Sequence, residues 1–394
     1  REGDMTMKRT TITITTAALF LLTGFGAPTK RPDKTALTPS NVEDSLDRAR
    51  AAGRIDELPA TVTVTPVAVK STQGVEAEKP VTGIYRPEEE IAEHQLERAQ
   101  RLPLSPDLRI DLSLPKSEYR IGEPVIVRAT LVNVADHSVE IAPLLDPQFQ
   151  FAHYFVTTPE GRTHGLSPVA IACSRGNLQV ETLFPHENRI EDVPVFFHKQ
   201  GWVFTEPGDY ALHVTYLGQT PESARIESNT LHFTVIEGTP EDRAAAELAM
   251  GHEQGLFLLW NQGDHLTRGI AALEEIVERF PETTLALYAR YALGSNMAQE
   301  FWNGAKGGEI RPALPDRAAA YLVPLADRLD RRDAPILPPN MIVGTYAMLA
   351  DAYRKLGDDT RARDVLDRFM ARYGNDSRFS EKDLSAIRSL TTSF

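Results

Sequence analysis

At Gly238-Thr239-Pro240 the spacing of apolar residues changes from every second position to every third or fourth. A period of two suits a strand with one buried face, and a period near 3.6 suits a helix with one buried stripe. The chain therefore divides there into a β half and an α half. Before the switch, Ile110, Leu112 and Leu114 alternate with charged or small residues. Gly122-Glu123-Pro124 reads as a turn, after which Val125, Val127, Ala129 and Leu131 point one way and Arg128 and Thr130 the other. Asn133 to Ser138 makes the next turn and leads into Val139-Glu140-Ile141. Further strands are expected over Phe149–Thr157, Arg189–Phe197, Tyr210–Leu217 and Leu231–Ile236. About seven short strands punctuated by Gly, Pro, Asn and Asp predict an antiparallel sandwich.

Three motifs give this half a resemblance. Tyr119-Arg120-Ile121-Gly122-Glu123-Pro124-Val125, followed by Leu131-Val132-Asn133, resembles the opening hairpin of bacterial immunoglobulin-like domains. Phe204-Thr205-Glu206-Pro207-Gly208-Asp209-Tyr210 is similar to the corner before their penultimate strand, and Ser228-Asn229-Thr230-Leu231 to the start of their last strand. The resemblance implies an immunoglobulin-like β-sandwich over residues 105–238. Read physically, the same corner feeds Tyr210, Leu212, Val214 and Tyr216 to the core at period two. Similar sandwiches precede the catalytic domain of some secreted zinc metallopeptidases. Their His-Glu-x-x-His motif has no counterpart, because no His here is followed four residues later by another.

After the switch, Pro240-Glu241-Asp242 starts a helix that is expected to continue through Ala244–Leu259. Leu273, Ile276, Val277 and Phe280 line a second helix, which Pro281 ends, and Leu285–Leu293 begins a third. Ala286, Ala289 and Ala292 let a neighbouring helix come close. Near the end, Tyr346, Leu349, Ala350 and Tyr353 line one helix, Gly357 turns the chain, and Ala362, Leu366 and Phe369 line the next. This order of large and small residues is similar to the tetratricopeptide pattern. It implies an all-α, tetratricopeptide-like domain over residues 239–394. Arg311–Pro339, rich in proline, fits the thirty-four-residue period poorly, so two units with an irregular middle are expected.

At the other end, Met7-Lys8-Arg9, an apolar run from Ile12 to Leu22 and the small residues Gly24-Phe25-Gly26-Ala27 have the order of a signal peptide. Residues 1–26 are read so, with an uncleaved anchor as the alternative; Met5 or Met7 could initiate. No cysteine follows the run to take a lipid, and no later segment could span a bilayer. Residues 27–104, rich in Pro, Thr and Glu, are expected to be largely a flexible spacer. Location in the bacterial periplasm or outside the cell follows, with no stable membrane insertion after cleavage. The net charge of −13 and sequence pI of 5.3 exclude a general nucleic-acid binder, which needs a basic footprint.

Cys173, the single cysteine, sits in a small apolar setting and is read as structural. Ser174 lacks the glycines of a nucleophile elbow. His213 and His232 could face each other across a hairpin, but a metal needs a further ligand, and solvated histidines are the expectation. The runs Glu88-Glu89-Glu90 and Glu274-Glu275 are read as solvated faces. Gly304, Lys306, Gly307 and Gly308 lack phosphate-loop spacing and are assigned to a helix-to-helix loop. Trp260, Phe301 and Trp302 could line a groove, yet helical spacing near turns favours core positions. No catalytic residue, metal or cofactor is assigned. The expected role is non-enzymatic binding or scaffolding of a protein or peptide partner; the alternative is an accessory or inactive relative of a secreted hydrolase, peptidase-associated.

Overall fold

The computed structural model describes residues 101–170, 180–220, 224–303 and 307–392. The expected signal peptide, nearly all of the spacer with Glu88–Glu90, and Cys173, Ser174, Gly304 and Lys306 lie outside the described residues.

Strand β1 (Leu108–Ser113) pairs antiparallel with β3 (Ile126–Asn133), which pairs on its other side with β8 (Asn188–Pro194). A second sheet runs in the order β2 (Glu118–Arg120), β14 (Leu231–Ile236), β11 (Gly208–Tyr216), β5 (Ala152–Thr157), β6 (Thr163–Gly165). Strand β13 (Ile226–Glu227) also pairs with β11. Pairing in this sheet is antiparallel except between β2 and β14, where Tyr119 lies beside Val235 in parallel. Strands β12 (Gln219–Thr220), β4 (Val139–Ile141) and β7 (Glu181–Leu183) make a third sheet, and β9 (Phe197–His198) pairs with β10 (Gly201–Trp202).

The expected alternation holds. Ile110, Leu112, Val127, Ala129 and Leu131 are buried from the first sheet, and Tyr210, Leu212, Val214, Tyr216, Phe233 and Val235 from the second. Each large side chain so buried contributes roughly 1.5–3 kcal/mol. Two strand limits differ from the sequence reading. Pro147–Phe149 forms a 3-10 turn capped by Asp146, so the strand after it starts at Ala152. The Arg189–Phe197 segment divides after Pro194, which has no N–H to extend the ladder.

The helical part contains α1 (Pro240–Ala249), α2 (His252–Trp260), α3 (Thr267–Arg279), α4 (Thr284–Ala298), α5 (Pro315–Asp330), α6 (Pro339–Lys355), α7 (Asp359–Tyr373) and α8 (Glu381–Thr392). Thr239 and Asp242 form a capping box at the start of α1. The helix expected to run through Leu259 breaks at Gly251, the N-cap of α2. Its carbonyl accepts from Gly255 N at 3.0 Å and from Trp202 Nε1 at 3.2 Å.

Two further expectations are corrected. The segment Arg311–Pro339 contains α5, a full helix that starts at Pro315, where a missing N–H costs nothing. Exposed Pro324 within it is tolerated because Leu322, Leu325, Ala326 and Leu329 are buried among α4 and α6. This part is also not purely helical. A hairpin of β15 (Phe301–Asn303) and β16 (Glu309–Arg311) is inserted between α4 and α5.

Helices α2, α4, α6 and α8 touch in succession, each also packing on the helix before or after it in the chain. The alternate helices α3, α5 and α7 stand further from one another. Three helix pairs (α2/α3, α4/α5, α6/α7) thus stack with α8 behind them, and α2, α4, α6 and α8 form the inner layer. Small residues permit the close approach: Ala286, Ala289 and Ala292 are fully buried, and a Cβ at Gly294 would lie 2.6 Å from Leu322. At the far end, Tyr346, Phe369, Tyr373 and Phe379 pack ring to ring with centroids 5.3–6.1 Å apart.

Candidate functional site

A stacked helical array commonly offers its inner layer to extended partners. Here the β-rich region packs along it. At one end Gly122, held at φ +77°, brings a turn against α1, where an added Cβ would lie 3.1 Å from Ala246 Cβ. Arg120 reaches from β2 to Asp242, with its Nε 2.9 Å from the carboxylate, and donates through Nη1 to Thr284 Oγ1 at 3.3 Å. Phe197 packs over Gly255 of α2 and sits 5.5 Å from the His252 ring. Further along, Arg128 of β3 grips Asp192 of β8 with two bonds of 2.7 and 2.9 Å. The same guanidinium donates to the Arg378 carbonyl at 2.7 Å, ahead of α8, while Asn340 N of α6 donates to Asp192 at 3.3 Å.

Between these anchors lies a buried polar knot. Glu123 is 2% exposed; it accepts from Arg120 N at 3.1 Å and Lys116 Nζ at 2.5 Å. Burial pushes its pKa up and Lys116 opposes the rise. Tyr119 and Tyr288 are buried beside it, and burial raises both hydroxyls far above their usual range, with Glu123 adding to the rise. Among the described residues the Tyr119 hydroxyl has no hydrogen-bond partner.

A second feature is an open polar cleft of about 430 Å³ at one end of the β-rich region, lined by Asp107, His137, Ser138, Glu140, Thr182 and Gln219. His137 Nε2 is 3.8 Å from Asp107, and Gln219 Nε2 donates weakly to the same carboxylate at 3.5 Å.

The residues singled out from the sequence do not converge. His232 lies opposite Ala211, whereas His213 lies opposite Phe155, on whose ring it stacks at 5.0 Å. Burial lowers the His213 pKa. Glu274 and Glu275 diverge: the first accepts from Tyr321 at 2.7 Å across to α5, the second pairs with Arg279. Gly307 and Gly308 close the inserted hairpin at positive φ, with Gly308 N donating to Asn303 O at 3.0 Å. That replaces the plain helix-to-helix loop expected there.

Trp260 and Trp302 are not core residues. Trp302 is 67% exposed and faces Ile310 across the hairpin, and Trp260 is 36% exposed. Phe301 stacks on His265 at 6.1 Å, and Arg311 fixes the hairpin base through Asp264 at 2.5 Å and Asn296 O at 2.7 Å. Among the described residues no three His, Cys, Asp or Glu side chains gather as a metal would require, and no helix is long and apolar enough to cross a membrane.

Comparison with known proteins places a tetratricopeptide repeat over residues 347–376, that is, on α6 and α7. No curated protein matches the chain by sequence. Among solved structures, the CARDB domain of a Pyrococcus furiosus protein, in complex with di-metal ions, is similar at 13% identity and a TM-score of 0.19. The match covers 34% of this chain and 94% of that one. A sporulation control protein, Spo0M of Bacillus subtilis, reaches 11% identity and a TM-score of 0.22 over 36% of this chain and 55% of its own. A β-glucosidase of Listeria innocua in complex with glucose reaches 17% and 0.19 over 33% and 16%. Likenesses this low carry no argument about the chain's activity.

Proposed function

We propose that this chain is an exported, non-enzymatic binding or scaffolding protein of the bacterial envelope that engages a protein partner. The observation that carries the reading is the tetratricopeptide match on α6 and α7, the third of three stacked helix pairs. Such arrays work by presenting an extended surface to other chains. Residues 105–238 are assigned to an immunoglobulin-like sandwich. Two features support this: the parallel pairing of β2 with β14, and the Tyr210 hydroxyl, which donates to Glu206 O at 3.0 Å just as β11 begins. A tyrosine bonded back across that corner is a hallmark of such sandwiches. Residues 1–26 are assigned to the signal peptide and 27–104 to the spacer.

Cross-linking in the native cell envelope, read by mass spectrometry, tests the proposal. Reproducible capture of one envelope protein through the helical part is expected. Capture of none, from exported and folded protein, would refute the partner-binding role.

A further inference from the structure

We infer that the inner layer of the helical array is the permanent seat of the chain's own β-rich region, and is therefore closed to extended segments of other proteins. The occupant is the described part of residues 118–202 of the same chain, namely 118–170 and 180–202. Its contacts reach every helix of the inner layer: Phe197 and Trp202 on α2, Arg120 on Thr284 at the start of α4, Asp192 on Asn340 of α6, and Arg128 on the turn into α8.

Three properties make the seam permanent. The contacts are spread along the array, so no single hinge releases them. The buried apolar cluster runs unbroken from the β-rich region into the helices. Charged groups bridge the seam: the Asp192 side chain, 6% exposed, accepts from Asn340 N, and its partner Arg128 donates to the Arg378 carbonyl, so parting the layers would leave both bonds unmade. Leaving hydrogen bonds to charged groups unmade opposes opening. The surface left for a partner is then the outer layer of α3, α5 and α7, together with the inserted hairpin. This inference stands on the seam and holds whatever partner is found.

Trp202 reports on the seam directly, since its indole N–H is bonded to Gly251 of the array. The chain has three tryptophans, and the other two, Trp260 and Trp302, are exposed. The full chain carrying Trp260→Phe and Trp302→Phe therefore has one fluorescent reporter, placed on the seam by mild changes. Its urea unfolding is followed by Trp202 emission and by helical circular dichroism on the same samples. Coincident transitions are expected, because the seam lasts until the helices unfold. Exposure of Trp202 at lower urea, while the helical signal persists, would overturn the inference. Arg128→Ala in the same background should move both transitions down together; movement of the Trp202 transition alone would also overturn it. Should that variant fail to fold, the tryptophan variant decides the matter unaided.

Discussion

Glu191→Gln should make the protein more stable at mildly alkaline pH and change little in acid. Glu191 lies on the inward phase of β8, and its carboxylate accepts from Leu145 N at 2.9 Å. Burial is the main cause that raises its pKa from 4.5 to about 7; the Leu145 amide and Arg189 oppose the rise, and Asp146 and Asp192 add to it. Between those two pH values the unfolded chain has given up a proton that the folded chain still holds. Unfolding then releases a proton, so stability falls as pH rises through this window. The span from 4.5 to about 7, at roughly 1.36 kcal/mol per pH unit, comes to about 3 kcal/mol lost by pH 8. Glutamine cannot ionise, and its carbonyl can still accept from Leu145. His198, whose pKa burial lowers to about 4, works the other way: its contribution is present above 6.5 and is lost toward acid. The comparison must therefore be variant minus parent, which cancels His198. Urea unfolding of both proteins at about pH 4, 6 and 8 supplies it. A stability difference that stays flat with pH, or a variant weaker than its parent at pH 8, would refute the reasoning.

Other substitutions have equally definite outcomes. Arg128→Ala strands buried Asp192 and should cost about 3–5 kcal/mol in urea unfolding; a cost near zero would mean that Asp192 finds another donor. Tyr210→Phe removes the corner hydrogen bond to Glu206 and should cost about 1 kcal/mol by thermal melting. Trp302→Ala, at an exposed position, should leave stability within about 0.5 kcal/mol, and a larger loss would show the indole packed in solution. Added zinc should not raise the Tm; a rise abolished by His213→Ala would restore the histidine site.

The sequence carried its periods faithfully and its registers poorly. Val127, Ala129 and Leu131, or Tyr210 through Tyr216, declare their buried face by alternation alone. The pairing of His213 with His232 failed because it assumed a plain hairpin centred on their midpoint. The chain instead leaves β11, pairs through Gln219–Thr220 with β4, and returns two residues out of step. The seam left a trace in the sequence: Ile126 lies on the outward phase of β3, where water would favour a polar residue, and is partly buried against the core. Prolines in α5 masked a helix, because a lone helix avoids an internal proline whereas one packed between α4 and α6 tolerates it. The inserted hairpin lengthens the turn within the second pair, which displaces the downstream helices from any regular repeat period.

Stacked repeats usually behave as one-dimensional chains, in which each unit leans only on its neighbours and the ends fray first. The β-rich region alters that rule, because it is fastened to the stack at Ala246, Gly251, Thr284, Asn340 and Arg378. A terminal unit cannot peel away without also parting from this longitudinal brace, so the loss of one unit is felt by all. The array resembles a row of books bound along a common spine, and its melting should be as sharp as that of a single compact domain.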